Sequence, residues 1–447
     1  MAGFLSLGCG EEKKAPAVTN AAYQQALQDA KKSGVVITAA SLAQPMPPAA
    51  QNAAPVYVQL TAALKSRPMS KSDQAAELKA RRPYPAPTPQ ELAAARSLLV
   101  RRSDVLKFMH QGAARPKCVF SRNWANPHSS AILFPEYGSI REGARFLTTE
   151  SVVMACDGKG LAAVQNEALG FTIAQHAGSD GILIAYLVRE AINLITLYAL
   201  QKIIAASHGD ARVARAVRLA IDQNWQAPNP SIALQRDMAM GLTEIETMRT
   251  ERQQGVPTKL FGIKIPRSAT DAEKQHWDEI MNANGMYLLT QNQKTIEAVN
   301  HPYPQAHPEV KAIAAANESD LPPKRKVPVI WNMRKEAEHM IAHMFLVDAT
   351  KLIEIHAREK AVADVTHTAA ALFEYKSAHG AFPAALSNLP SPIPIDPFDL
   401  KPLRYRREGK GFVVYSVGAM LNYDGSAAME KEHRKQKQTD ALFRYGG

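Results

Sequence analysis

His339 and His343 stand four residues apart in a stretch that reads as helix, a spacing that lets two imidazoles share one metal ion. The metalloprotease pattern His-Glu-x-x-His is not met, because Met340 occupies the place of the general base and no third ligand is in sight. Packing or surface histidines are the plainer reading. A thiol nucleophile at Cys118, served by a distant histidine, is supported neither by its neighbours nor by any spacing. No Gly-x-Ser-x-Gly elbow marks a catalytic serine. Asp157-Gly158-Lys159-Gly160 lies between two helical stretches, not at the strand-to-helix junction where a glycine-rich loop cradles phosphate. On these residues the chain reads as non-enzymatic.

The cysteines carry a different chemistry. Cys9 follows Phe4-Leu5-Ser6-Leu7-Gly8 and precedes the polar Glu11-Glu12-Lys13-Lys14. A short apolar run, a small residue and then a cysteine resembles a bacterial lipobox, with Ser6 where leucine is commoner. The resemblance implies a lipid on the Cys9 thiol, a flexible polar tether behind it, and export to the cell envelope. No basic stretch and full apolar segment precede Cys9, so the signal is expected to begin upstream of Met1. In an exported chain Cys118 and Cys156 can pair; the alternative is two buried free thiols.

The elements that must carry these residues are mostly helical. Low aromatic content, 7%, with abundant Ala, Leu, Gln, Lys and Glu favours helix over sheet. The net charge of +11 is uneven: residues 65–107 hold ten Lys/Arg against four Asp/Glu. That stretch reads as a solvated helix face; without interleaved aromatics or a nucleic-acid motif, no nucleic-acid partner is expected. Short helices are predicted at 21–32 and 56–64, around a Pro/Ala/Gln-rich linker at 41–55. Thr88-Pro89-Gln90-Glu91 is a capping box with proline at the first helical position, opening a helix predicted to run to Gly112. After an irregular segment at 115–136, helices are predicted at 140–156, 161–176, 182–206 and 211–222. Four-residue Gly/Asp turns join them, so they read as stacked antiparallel hairpins, similar to tetratricopeptide arrays but without their signature residues. The stretch 182–206 is apolar on more than one face and reads as a central buried helix. Further helices are predicted at 231–252, 272–283 and 287–300. Proline-rich breaks follow at 301–308 and 321–328, then one long helix at 332–379.

The C-terminal part is predicted to be α+β. Gly380 and Pro383 end the long helix, and four prolines between Pro390 and Pro397 force an extended loop. Residues 403–407 and 412–417 alternate apolar and polar across Glu408-Gly409-Lys410-Gly411, a β-hairpin signal. In order, a helix, His379-Gly380-Ala381-Phe382-Pro383, Asp396-Pro397-Phe398, Pro402-Leu403-Arg404-Tyr405, Tyr415-Ser416-Val417-Gly418 and Asp424-Gly425 resemble the soluble head of the type II secretion major pseudopilin. The resemblance implies a long helix against an antiparallel hairpin, and a calcium ion held after the last strand. The matching ligand candidates are Asp424 and Asp440; an inserted charged run, 430–437, departs from the pattern. Gly170-Phe171-Thr172-Ile173 matches the beginning of a pilin processing site, but Gln175 replaces its glutamate and no long apolar helix follows.

Arg115-Pro116-Lys117-Cys118-Val119-Phe120 and Tyr186-Leu187-Val188-Arg189-Glu190-Ala191, with such a head, also resemble large, mostly uncharacterised planctomycete-type envelope lipoproteins. The expected organisation is a lipobox and tether at 1–20, short helices and linker at 21–87, a helical-hairpin body at 88–330, and the long helix with its head at 331–447. The expected function is a non-enzymatic scaffold at the envelope with a protein partner. An accessory of a secretion or pilus-like machine, or an enzyme with an unread site, are the alternatives.

Overall fold

The computed structural model describes residues 18–81, 87–256, 258–260, 263–265, 270–320, 339–435 and 441–446. The described residues are 68% helix, with fifteen α-helices among them and a small three-stranded antiparallel sheet near the C-terminus. The helices of the first half are α1 Asn20–Lys32, α2 Ala54–Ser66, α3 Lys71–Arg81, α4 Pro89–Arg101, α5 Ser103–Ala113, α6 Glu136–Cys156, α7 Gly160–Ala177, α8 Leu183–Ala206 and α9 Ala211–Asn224. There follow α10 Pro230–Gln253, the ribbon β1 Thr258–Leu260 and β2 Ile263–Ile265, α11 Asp271–Val299, α12 Tyr303–Ser319, α13 Met340–His343 and α14 Thr350–His379. The chain closes with β3 Arg404–Glu408, β4 Gly411–Tyr415, α15 Ala427–Lys435 and β5 Leu442–Tyr445.

The capping box forms as the sequence spells it: Glu91 N–H donates to Thr88 Oγ1 at 3.2 Å and Thr88 N–H to Glu91 Oε2 at 2.9 Å. The helix it opens does not reach Gly112. It stops at Arg102 (φ −117°, ψ 29°), whose guanidinium donates to the Arg67 carbonyl and lies over the Phe146 ring, and α5 starts anew. The two helices expected at 272–283 and 287–300 are one, α11. Gly285 gives no break because its bare Cα lets the buried Tyr23 of α1 press close; an added Cβ would come within 2.3 Å of the ring. Asn284 donates to Ile280 O within the helix and accepts from Ala342 N–H, so a residue typical of turns pins α13 to α11. The proline-rich stretch at 301–308 is largely α12: Pro302 is its N-cap, Pro304 falls in the first turn, and the helix carries Pro308 within it.

The expected single helix at 332–379 is also corrected. Residues 332–338, like the proline-rich 321–328, lie outside the described residues. Beyond them α13 is one turn, and the chain leaves helical form until α14 starts at Thr350. In the gap, Phe345 and Leu346 pack into one apolar cluster and Val347 into another, so the chain bends to serve both. Helices α3 and α15 and strand β5 were not anticipated.

The expected hairpin is β3–β4, and β5 adds on the far side of β4, giving the order β3-β4-β5. Tyr405 pairs with Val414, and Val414 with Phe443. All five residues of β4 are buried. The sheet shares its core with the helices. Phe373 of α14 meets Phe382, Phe412 and Tyr445 edge-on, at ring separations of 5.5, 5.5 and 4.7 Å. Gly209, in the α8–α9 turn at φ 71°, lies so close to Phe373 that a Cβ would come within 2.3 Å of the ring. One apolar cluster therefore runs from α6–α9 through α14 into the sheet.

The expected central helix is α8, which contributes to three apolar clusters. By length and composition it is apolar enough to cross a membrane, yet 56% of its most apolar window is buried in the protein. Its polar residues turn towards α14: Asn193 donates to Glu359 at 2.8 Å and Gln201 to Thr366 at 2.9 Å.

Candidate functional site

His339 and His343 are both used as rings. His339 stacks on Tyr287 of α11 at 4.1 Å and His343 lies tilted at 5.3 Å, while the Tyr287 hydroxyl donates to Asp320 at 2.7 Å. Burial pushes the His343 pKa down, the neighbouring His339 adds to that, and Asp320 opposes it. Among the described residues no three His, Cys, Asp or Glu side chains are grouped to hold a metal ion.

Cys118 is 5% exposed, and burial pushes its thiol up to about 12, against a hydrogen bond with Ser179. The buried His176 contacts the Tyr57 hydroxyl at 3.0 Å and is itself pushed down to about 4 by burial. A nucleophilic thiol needs the opposite environment, one that favours thiolate. Cys156 is corrected from buried to exposed: it is the last residue of α6, and both thiols are free.

Asp424 is exposed. Its carboxylate accepts the Ser426 N–H at 2.7 Å, and the Ser426 hydroxyl together with that N–H holds it below the usual carboxylate range. The carbonyls of Asp424 and Gly425 accept from Arg406 at 3.3 and 3.2 Å, and Arg444 also donates to Gly425. Two guanidinium groups thus occupy backbone oxygens beside Asp424. Asp440 and Cys9 lie outside the described residues. Gly170-Phe171-Thr172-Ile173 sits inside α7, where Gly170 lets the helix close onto Thr196 of α8.

Two polar constellations were not legible in the sequence. The first lies between α8 and α14. Glu190 and Glu359 are 0% and 1% exposed. Glu359 Oε1 accepts from Asn193 at 2.8 Å and from Trp225 Nε1 at 2.6 Å, while its Oε2 and both oxygens of Glu190 lack a well-formed hydrogen bond. His356 Nδ1 stands 3.6 Å from Glu190 and 3.2 Å from the Tyr186 hydroxyl. Burial drives Glu359 well above the usual carboxylate range, and the adjacent Glu190 reinforces it. On Glu190 burial pushes the same way, but the donors Glu359, His356 and Tyr186 outweigh it and hold the group low. The two environments thus push the pair apart, Glu359 towards its neutral form and Glu190 towards its charged one. Nearby on α7, Glu167 is 1% exposed and pushed up to about 8 by burial, against the hydroxyl of Thr148 at 2.8 Å.

The second constellation sits where the irregular 115–135 segment crosses α10. A groove of about 200 Å³ lies there, with Ser129, Ser130, Asp237 and Met240 on one side and residues 344–347 on the other. Asp237 accepts the Leu183 N–H at the start of α8, and burial pushes its carboxyl up to about 6. Beside the groove His128 spans two carboxylates of α10, with Nδ1 3.1 Å from Glu244 and Nε2 3.0 Å from Glu251. Ser129 Oγ donates to the Met240 carbonyl at 2.7 Å, and Ser130 N–H to Glu244 at 3.0 Å. His128 touches neither serine hydroxyl through an ordinary hydrogen bond, so the serine, histidine and carboxylate here do not form a proton relay to a nucleophile. The only sequence trace of either constellation is a glutamate placed among apolar helix positions.

Comparison with protein-family models, with curated proteins and with solved structures finds no match to this chain.

Proposed function

We propose that this chain is a non-enzymatic scaffold of the cell envelope, tethered by lipid on Cys9, with its C-terminal unit offered to an envelope protein. The observation that carries this is the pair of loops at 394–402 and 416–421. Asp396, 0% exposed, ties them together: it accepts Phe398 N–H and Ser416 Oγ on one oxygen, at 3.1 and 2.9 Å, and Val417 N–H on the other, at 2.8 Å. On these fixed loops Ile395, Leu400, Met420 and Leu421 are 50–64% exposed. Leu400 and Leu421 also hold left-handed backbone, at φ 58° and 57°, a costly conformation for leucine. Strained, exposed apolar side chains on rigid loops suit recognition better than stability. The long helix followed by antiparallel strands supports the pseudopilin-like reading of this unit, and the short turns between α6, α7, α8 and α9 support the stacked-hairpin reading.

The test uses Leu400→Asn with Leu421→Asn. Asparagine tolerates left-handed backbone, so the double variant relieves strain while removing the apolar side chains. Affinity capture from envelope extracts is expected to recover an envelope protein with the native chain and lose it with the variant. Recovery of secretion-machine pseudopilins instead would favour the accessory reading. Membrane fractionation is expected to release the Cys9→Ser variant into the soluble fraction. A native chain that is already soluble sinks the tether.

A further inference from the structure

His128 faces two carboxylates of α10, Glu244 and Glu251, at the crossing beside the groove. Its ring is 32% exposed, so it exchanges protons with solvent, while Glu244 behind it is 0% exposed and Glu251 20%. A neutral imidazole carries a single N–H and cannot donate to both carboxylates; its second nitrogen would turn a lone pair towards a carboxylate oxygen at hydrogen-bond distance. The doubly bonded geometry therefore belongs to the imidazolium. The other cations of α10 are engaged elsewhere: Arg236 with the Asp180 carbonyl, Arg249 with Glu246 and Asn282, and Arg252 over the Trp277 ring. On the crossing segment Arg122 is held by Glu136 and Asp180. Across the groove the lining residues are Met344, Phe345, Leu346 and Val347, flanked by His343, which lies against Tyr287, and Asp348, which caps α14. Asp237, on the groove wall, holds the start of α8.

We propose that residues 127–131 form a pH-operated latch on α10, closed while His128 is protonated and released when it loses its proton, so that one wall of the groove is movable. The remaining holds on this stretch are few: Thr247 Oγ1 to the Pro127 carbonyl at 2.6 Å, and the Ser129 and Ser130 contacts. Two of these run through Glu244, the carboxylate that deprotonation leaves without its counter-charge. Burial works against the charged ring, but the hydrogen bond to Glu244 and the charges of Glu251 and Glu244 outweigh it, so the His128 pKa is raised above 6.5. With a folded value above the unfolded one, the latch is at full strength below about pH 6.5 and weakens as pH rises through the raised value.

The test is hydrogen exchange of the full chain between about pH 5.5 and pH 8.5, corrected for intrinsic rates. Protection of residues 121–134 is expected to fall by about tenfold to a hundredfold on raising the pH, the equivalent of one charge-assisted hydrogen bond. His128→Gln should show the low protection at every pH, with no step. Glu251→Gln keeps His128 and Glu244 and should move the step to lower pH. Circular dichroism checks that each variant folds. Protection that is independent of pH in the folded native chain, or a step that survives His128→Gln, overturns the latch.

Discussion

Glu359 shows how a single side chain sets a pH dependence. Its folded pKa is raised by burial and by Glu190, so its contribution to stability is complete below about 4.5, the ordinary value, and is lost as pH rises through the raised one. Glu190 is held low and has the opposite sign: its contribution is present above the ordinary value and fades as pH falls. Glu359→Gln removes the need for the proton and keeps an oxygen for Trp225 and Asn193. The variant is therefore expected to match or exceed the native chain in stability near pH 8, by about 1–2 kcal/mol. The advantage should shrink towards pH 5. Urea denaturation at both pH values checks this, and a gap of the same size at each would sink it. Neither glutamate could be picked out beforehand. Glu190 reads as one charge in an apolar helix, and no spacing rule links it to a partner on α14, far along the chain.

Among the elements, those that form locally were readable and those fixed by distant packing were not. The capping box at Thr88 and the stop at Gly380 (φ 79°) are local chemistry, and both are realised. Helix α11 is not, because the residue that looked like a break is a contact. This gives Gly285→Ala an informative sign. From propensity alone alanine should stabilise a helix interior by about 1 kcal/mol. Against Tyr23, which is 0% exposed, the added methyl has no room, and a loss of about 1–3 kcal/mol is expected. Thermal denaturation decides between the two signs. Strand β5 was missed for a similar reason. Leu442-Phe443-Arg444-Tyr445 is too short to announce itself, and it becomes a strand because β4 offers an open edge and Phe443 a place beside Phe412.

At the scale of the whole molecule, α14 joins the helices to the sheet, with Phe373 at the junction. Phe373→Ala is expected to cost about 3–5 kcal/mol and to destabilise helices and sheet together. Far-UV dichroism, which reads the helices, and hydrogen exchange of the β3–β5 amides should then report the same loss, whereas sheet protection lost well before the helical signal would count against a shared core. The central place of α8 has a further consequence, for the order in which the chain assembles. Its partners across the core, Thr366 for Gln201 and Glu359 for Asn193, lie 165 and 166 residues further on. Closing so long a loop is entropically slow. Meanwhile a helix of 24 residues, apolar enough to pass for a membrane span, waits with one side uncovered. Self-association of chains with α8 still uncovered is therefore expected to compete with the arrival of α14 during folding. Refolding yield should be governed by dilution and by any chaperone that shields α8 until then.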